Sequence, residues 1–198
     1  DLDGHCLGQR PAAHLASRRT GPCLAIIGED DSRRAFVERA ERKGLRILAS
    51  AGELAGAPPG AVLFAGNVEG DAKRDLFCGC RAILISPISS PAGASPSVLV
   101  EAMAAGKAIV ADDLPSVRDF ISHGRNGRLV PAGDAAACAD ALGQLDANDW
   151  IRRSCEEANR RDVEAYRWSA IAGRYATVYR RALESAGRRV PPAAAGNS

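Results

Sequence analysis

Residues 86–112 read SPISSPAGASPSVLVEAMAAGKAIVAD, and this stretch contains the clearest signals of secondary structure in the chain. It predicts the end of a buried strand at 82–86, a loop of small residues, a helix from Pro96 that stops at Gly106, and a second buried strand at 108–111. Ser95 suits an N-cap, and Pro96 suits the first helical position, where a missing N–H is tolerated. The sequence therefore marks a helix start between two buried strands.

This helix start predicts a site for a phosphate-bearing ligand. The first N–H groups of a helix are unpaired and carry partial positive charge, and the preceding loop is too small-sided to block an approaching group. Ser97 and Glu101 are four residues apart and share a helix face, so a ligand with its phosphate near Ser97 could reach Glu101 with a ribose hydroxyl. The alternative is that both side chains simply occupy the solvated side of a core helix.

The remainder of the chain alternates strands with helices as far as Val130 and is helical after it. This alternation predicts an α/β fold, a doubly wound parallel sheet with right-handed crossovers. The predicted strands are 23–28, 44–48, 61–65, 82–86, 108–111 and 128–130, and the predicted helices are 33–43, 70–78, 96–105, 115–122, 134–145, 150–164 and 168–186. The last helix carries an apolar stripe formed by Ile171, Tyr175, Val178, Tyr179 and Leu183.

Composition excludes several classes of protein. The net charge of +2 and the aromatic content of 5% argue against a nucleic-acid partner, which needs a basic surface or stacking platforms. The six cysteines form no regular framework, so we interpret them as reduced and structural. No apolar run approaches the roughly 20 residues of a membrane span, and no secretory signal is visible. We therefore expect a cytoplasmic protein, with peripheral association at the inner membrane face left open.

Two other polar groups are weaker site candidates. His123 lies in a His-Gly-Arg-Asn-Gly turn without an accompanying nucleophile motif, so we interpret it as a loop or capping residue. Asp112 and Asp113 follow a strand end, where acidic residues can hold ligands. A solvated turn before Pro115 is the stronger interpretation of that pair.

Three ordered motifs carry a family resemblance. They are residues 95–111 (SPSVLVEAMAAGKAIVA), residues 117–121 (VRDFI) and residues 123–130 (HGRNGRLV), followed by Gly133-Asp134. Together they closely resemble the C-terminal, donor-binding domain of the GT-B fold retaining glycosyltransferases of family 4 (group 1). The resemblance extends from about Cys23 to Leu183, and it implies a Rossmann-like C-terminal half of GT-B with C-terminal helices.

The resemblance also implies residue roles. Glu101 looks like the family glutamate that holds the ribose hydroxyls of a nucleotide sugar, and the N–H groups at the helix start would receive the diphosphate. Gly66 and Asn67 would border the base or sugar pocket. The donor-binding residues expected on this basis are Gly66, Asn67, Gly93, Ser95, Ser97, Val98, Leu99 and Glu101. No catalytic residue is assigned, and neither a metal nor a cofactor is expected.

The function implied is transfer of a sugar from a nucleoside diphosphate sugar to a glycan, lipid or small-molecule acceptor, with retention of configuration. In this fold a separate N-terminal domain binds the acceptor, so we expect this chain to be inactive alone and to need a missing or separately encoded partner domain. The alternative is a non-catalytic nucleotide-binding or partner-binding module derived from the fold. Gly93 favours it, because the family usually has a glutamate at that position, and so do Arg33 and Arg34, which lack the spacing of the family's basic pair.

The sequence predicts three segments along the chain. Residues 1–21 form an irregular start, expected to be the remnant of a longer chain. Residues 22–187 form the Rossmann-like nucleotide-sugar-binding domain. Residues 188–198, which include Pro191-Pro192 and a run of alanines, form a tail expected to be disordered.

Overall fold

The computed structural model describes residues 24–27, 33–57, 61–66, 68–85 and 96–187. The strands are β1 (Leu24–Ile27), β2 (Ile47–Leu48), β3 (Val62–Gly66), β4 (Ala82–Ile85), β5 (Ala108–Asp112) and β6 (Gly127–Val130). The helices are α1 (Arg33–Arg42), α2 (Gly70–Gly79), α3 (Pro96–Ala104), α4 (Pro115–Arg118), α5 (Ala135–Ala147), α6 (Asp149–Asp162) and α7 (Trp168–Ser185), with 3₁₀ turns at Ala51–Gly56 and Val163–Tyr166. The prediction of an α/β fold with helices at its C-terminal end is confirmed.

The named strands pair in parallel, as the alternating pattern predicts. They form two three-stranded sets, in the orders β1-β3-β2 and β4-β5-β6. Within the described residues no backbone ladder joins the two sets, whereas the sequence pattern predicts one sheet. The β4-β5-β6 set places the carboxyl ends of its three strands at one edge, and α3 connects the first two of them.

Strand β5 is the centre of the core. All five of its residues are buried, and their side chains alternate between the two faces of the sheet. Ile109 and Ala111 pack with α3 and with the segment after β5, whereas Ala108 and Val110 pack with α5 and α6. A strand that is covered on both faces needs apolar residues at every position, which explains the continuous apolar run in the sequence.

Helix α3 stops where the sequence predicts. Gly106 adopts φ 62°, the N–H of Gly106 donates to the carbonyl of Met103 at 2.8 Å, and the N–H of Lys107 donates to the carbonyl of Ala102 at 3.2 Å. This pair of hydrogen bonds is a Schellman motif, which satisfies the last helical carbonyls and needs a residue that tolerates positive φ. The glycine therefore turns the chain directly into β5.

Helix α4 is shorter than the predicted helix at 115–122. It ends at Arg118, and the side chain of buried Asn126 takes over the hydrogen bonding of the following residues. The Asn126 amide donates to the carbonyl of Phe120 at 2.9 Å and accepts from the N–H of Ser122 at 2.8 Å. The helix stops early because a side chain from the next turn competes with the helical ladder.

Two further predictions differ from the structure in detail, and a third falls outside the residues that it describes. The strand predicted at 44–48 is reduced to Ile47–Leu48. The stripe on α7 is present, but none of the helix residues is buried. The irregular start at 1–21 and the tail at 188–198 lie outside the described residues, so the three-segment division stays a prediction. Among the helices that the structure describes, none is both long and apolar enough to cross a bilayer.

Candidate functional site

The N-terminus of α3 is the centre of the candidate site. The helix begins at Pro96, after β4 has ended at Ile85, so it starts beside the carboxyl edge of the sheet, where ligands bind in open α/β folds. Ser97 is exposed and Glu101 is half-buried, and the two share a face of the helix. This face can offer a hydroxyl, a carboxylate and the positive end of a helix to one ligand.

The two residues after Ser97, Val98 and Leu99, direct their side chains toward the core. Leu99 is fully buried in the core together with Ala102 and Met103, and Val98 packs partly against the same cluster. Their side chains therefore anchor the helix to the sheet, and only their backbone N–H groups remain available for a phosphate. The sequence assigns only the N–H groups of these two residues to the diphosphate, and that assignment stays a prediction.

Of the other expected site residues, Gly66 lies in the β1-β3-β2 set and the rest lie outside the described residues. Gly66 is the last residue of β3, at the carboxyl edge of the β1-β3-β2 set. Asn67, Gly93 and Ser95 lie outside the described residues, and their assignment stays a prediction. The structure thus brings together four of the eight expected residues, Ser97, Val98, Leu99 and Glu101, on one turn and a half of α3.

Lys73 contacts the candidate site, although no sequence pattern points to it. Its ammonium Nζ lies 2.5 Å from Oε2 of Glu101, so an ion pair joins α2 to α3. The same ammonium lies 5.7 Å from the centre of the Phe77 ring, one helical turn further along α2. The two charges are 28 positions apart in the sequence, and no local pattern connects them. Only the packing of both helices against the same core could reveal the pair.

A second contact fixes α2 beside the turn that follows α3. Lys107 Nζ donates to the carbonyl of Cys78 at 2.7 Å. The thiol of Cys80, just beyond α2, donates to the carbonyl of Phe77 at 3.1 Å. Burial raises the pKa of the Cys80 thiol to about 11, although the nearby Lys107 charge acts in the opposite direction. A thiol with this pKa is a structural group and a poor nucleophile at neutral pH.

The two aspartates at the end of β5 have different environments. Asp113 forms a bidentate pair with Arg118, at 2.6 and 2.8 Å, and the hydrogen bond from Arg118 holds the pKa of the Asp113 carboxyl below its usual range. Asp112, however, is buried, with 1% of its surface exposed. The interpretation as a solvated turn is correct for Asp113 and wrong for Asp112, because Asp112 is the last residue of a strand that is covered on both faces.

His123 lies in a turn, as the sequence predicts. The N–H of Leu129 and the imidazole Nδ1 are 3.1 Å apart, which ties the turn to β6. The part of the chain that the structure describes holds no group of three or more His, Cys, Asp or Glu side chains arranged to bind a metal ion.

The sequence of the chain matches a known protein family. The family described as "Glycosyl transferases group 1" matches residues 9–148, which is more than half of the chain. The chain belongs to the group 1 glycosyltransferases. The match includes α3, Glu101 and Lys73, so the candidate site lies within the part of this group 1 glycosyltransferase that defines its family.

Two relatives are also named as glycosyltransferases. The chain is 49% identical over 82 residues to a phosphatidyl-myo-inositol mannosyltransferase of Mycobacterium leprae, a match that covers 41% of this chain and 22% of the relative. It is 31% identical over 129 residues to an uncharacterized glycosyltransferase of Methanocaldococcus jannaschii, covering 64% of this chain and 32% of the relative. The matches thus span between a fifth and a third of these two relatives.

Solved structures show the same fold. Sucrose-phosphate synthase from Thermosynechococcus elongatus superposes with a TM-score of 0.62 at 22% identity, covering 82% of this chain and 39% of that chain. Anabaena HepE, solved in complex with UDP, superposes with a TM-score of 0.57 at 17% identity, covering 88% of this chain and 43% of that chain. This group 1 glycosyltransferase therefore has the fold of one part of a larger GT-B enzyme.

Proposed function

We propose that the protein transfers a sugar from a nucleoside diphosphate sugar to a glycan, lipid or small-molecule acceptor with retention of configuration, and that this chain supplies the donor-binding half. The observation that carries the proposal is the exposed face of α3, which presents Ser97, Glu101 and the helix N-terminus beside the carboxyl edge of the sheet. The family match and the likeness to an enzyme solved with UDP support it.

The geometry suggests how each group would act. The first N–H groups of α3 would bind the diphosphate, and the Glu101 carboxylate would accept hydrogen bonds from the ribose hydroxyls. When the bond between the sugar C1 and the phosphate oxygen breaks, the electron pair stays with the diphosphate. A fixed helix N-terminus stabilises that developing charge, because its dipole is already oriented toward the leaving group.

The donor site can be tested by isothermal titration of the protein with UDP, GDP and ADP, without added metal. We expect one nucleotide to bind, and we expect Glu101→Ala to weaken it by about 1–3 kcal/mol, the loss typical of a removed hydrogen-bond partner. The matched control is Glu157→Ala, which changes an exposed glutamate on α6. Absence of binding to all three nucleotides, or equal binding by wild type and Glu101→Ala, would contradict the donor site.

The acceptor and the partner domain are further parts of the proposal. The relative from Mycobacterium leprae is named as a mannosyltransferase acting on phosphatidyl-myo-inositol, which favours a hexose donor and a lipid acceptor here. We place acceptor binding in an N-terminal domain outside this chain, because the match to sucrose-phosphate synthase covers only 39% of that protein. Transfer activity that appears when such a domain is supplied, and that is absent from the isolated chain, is the expected result.

Two conditions of the reaction follow from the same proposal. We propose that transfer needs no metal, because the helix N-terminus supplies the positive potential at the diphosphate, so activity should persist in excess EDTA. We also propose a cytoplasmic location with peripheral contact at the inner membrane face, where a lipid acceptor would be found. Cell fractionation with a salt wash, which releases peripheral proteins, tests the location.

A second candidate function is a non-catalytic module that binds a nucleotide or a partner protein. The observation that favours it is Gly93, which stands eight residues before Glu101, where the resembling family has a glutamate. The two candidates differ in one experiment: nucleotide binding without any sugar transfer, even after an N-terminal domain has been supplied, is expected of the module and contradicts the enzyme.

A further inference from the structure

The ion pair between Lys73 and Glu101 fixes the orientation of the carboxylate that faces the proposed donor. Lys73 and Glu101 are 27% and 39% exposed, so the pair is only partly open to water. Lys73 is held on its own helix by the ring of Phe77, which is buried in the main core cluster. The cation therefore has a restricted position, set by the packing of α2 against α3.

The two oxygens of Glu101 are not equivalent. Oε2 is buried and makes no hydrogen bond of good geometry, so the ammonium of Lys73, at 2.5 Å, is the group that compensates its lost hydration. The Glu101 side chain as a whole is 39% exposed, so the part of it that reaches solvent is not Oε2. One carboxylate oxygen is thus held against α2, while the side chain remains partly exposed on the helix face that also carries Ser97.

Neighbouring cations are engaged elsewhere. Arg74, the next residue on α2, pairs with Asp71 at 3.0 Å. Lys107, at the other end of α3, donates to the carbonyl of Cys78. Among the described residues near Glu101, these contacts leave Lys73 as the charge that can orient this carboxylate.

We propose that Lys73 is the positioning residue for ribose recognition: it holds Oε2 of Glu101 so that Oε1 accepts hydrogen bonds from the 2′- and 3′-hydroxyls of a nucleoside diphosphate. The inference rests on the proposed donor site. A glutamate that is free to rotate loses side-chain freedom when a ligand binds, whereas one held in advance by an ion pair has already lost it. Lys73 acts through Glu101 and does not touch the ribose.

The experiment measures how strongly the protein distinguishes a ribose from a deoxygenated sugar. UDP, GDP and ADP are each titrated against their own 2′,3′-dideoxy analogues, and the ratio of the two dissociation constants is determined. The variants are Lys73→Met, which keeps an apolar chain near Phe77 but removes the charge, Lys73→Arg, which keeps the charge, Glu101→Gln, and the double variant of Lys73→Met with Glu101→Gln. The matched control is Arg74→Met on the same helix.

The expected result is a ratio of about tenfold or more in wild type, the size of one charge-assisted hydrogen bond. Lys73→Met and Glu101→Gln should each reduce this ratio severalfold, and the double variant should be no worse than Glu101→Gln alone. Lys73→Arg should retain most of the ratio, and Arg74→Met should leave it unchanged. If Lys73 had only a structural role, Lys73→Met would lower the affinity for the nucleotide and for its dideoxy analogue equally. The ratio of the two dissociation constants would then stay unchanged.

Different results overturn different statements. A Lys73→Met ratio equal to wild type, or larger, overturns the positioning role while the donor site stands, provided that Glu101→Gln lowers the ratio. A wild type that binds no nucleotide, or that has the same ratio as Glu101→Gln, overturns the donor site and this inference with it. If Lys73→Met fails to fold, Lys73→Gln compared with Lys73→Arg makes the same distinction between a neutral and a charged side chain.

Discussion

Asn159 is a fully buried polar side chain that joins α6 to two other segments. Its amide donates to the carbonyl of Lys107 at 2.7 Å and to the carbonyl of Asn126 at 2.8 Å. We expect Asn159→Ala to lower the free energy of unfolding by about 1–3 kcal/mol, since two buried acceptors lose their donor. The effect stays in this range because Oδ1 of Asn159 has no hydrogen-bond partner among the described residues, and its removal relieves a burial cost.

Chemical denaturation of both proteins measures this change. The matched control is Gln144→Ala, an exposed amide on α5, which should stay within about 0.5 kcal/mol of wild type. Equal losses for the two variants would show that the Asn159 amide does not stabilise the fold.

Cys80 gives a prediction that depends on pH. Its thiol pKa is raised to about 11 by burial, so the thiolate that reacts with alkylating agents is scarce at pH 8. We expect iodoacetamide to label Cys80 in the folded protein more than about tenfold more slowly than in the denatured protein, where the thiol pKa returns to about 8.5. Because the thiol pKa is higher in the folded than in the unfolded protein, the buried neutral thiol adds to the free energy of unfolding at pH values below the unfolded-state pKa. That contribution is lost as the pH rises toward the folded-state pKa of about 11.

Peptide mapping by mass spectrometry at pH 7, 8, 9 and 10 measures the labelling. The rate in the folded protein should continue to increase across this range, whereas the rate in the denatured protein should level off above its pKa. Equal rates at pH 8 in the two states would contradict a raised thiol pKa.

At the scale of one element, the end of α3 controls how its N-terminal face is presented. Gly106 has φ 62°, and a Cβ at this position would lie 2.3 Å from Nε of Arg160. We expect Gly106→Ala to destabilise the protein by about 1–2 kcal/mol, because alanine is strained at positive φ and Arg160 must move. Thermal unfolding monitored by circular dichroism measures the change.

Helix α5 offers the matched control for this substitution. Gly143 lies in the middle of that helix, and a Cβ there would meet nothing within 4 Å. Gly143→Ala should therefore stabilise the protein by about 0.5–1 kcal/mol, since alanine has the higher helix propensity. The same substitution thus has opposite signs at the two sites, and a shift of the same sign at both would contradict this account.

At the scale of the whole molecule, α7 carries large apolar side chains that are exposed in the part of the chain that the structure describes. Five large apolar side chains have between 61% and 78% of their surface exposed. Four lie on α7, namely Trp168, Tyr175, Val178 and Tyr179, and the fifth is Trp150 on α6. Contiguous exposed apolar groups favour association. We therefore expect the isolated chain to bind the dye ANS and to elute from sizing chromatography at a volume that depends on concentration.

The double variant Tyr175→Ser, Tyr179→Ser should reduce both effects, because it removes two exposed rings whose centres lie 6.4 Å apart at the middle of the helix. Arg180→Ser, on the same exposed helix, is the control and should change neither. A monodisperse monomer without dye binding, at every concentration tested, would contradict the prediction.

Local signals in the sequence determined most of the fold and the position of the candidate site. Pro96 at the first turn of α3, Gly106 in its Schellman motif and the apolar run of β5 act over a few residues, so the pattern alone places them correctly. The motifs around them also determined the family, which the match to the group 1 glycosyltransferases confirms.

Which side chains contact one another follows from the packing of the folded chain and not from local sequence. Three features depend on segments that come together only when the helices pack against the sheet. They are the ion pair of Lys73 with Glu101, the early end of α4 beside Asn126 and the burial of Asp112. Local propensity and periodicity carry no information about such contacts, because their free energy exists only after the intervening chain has folded.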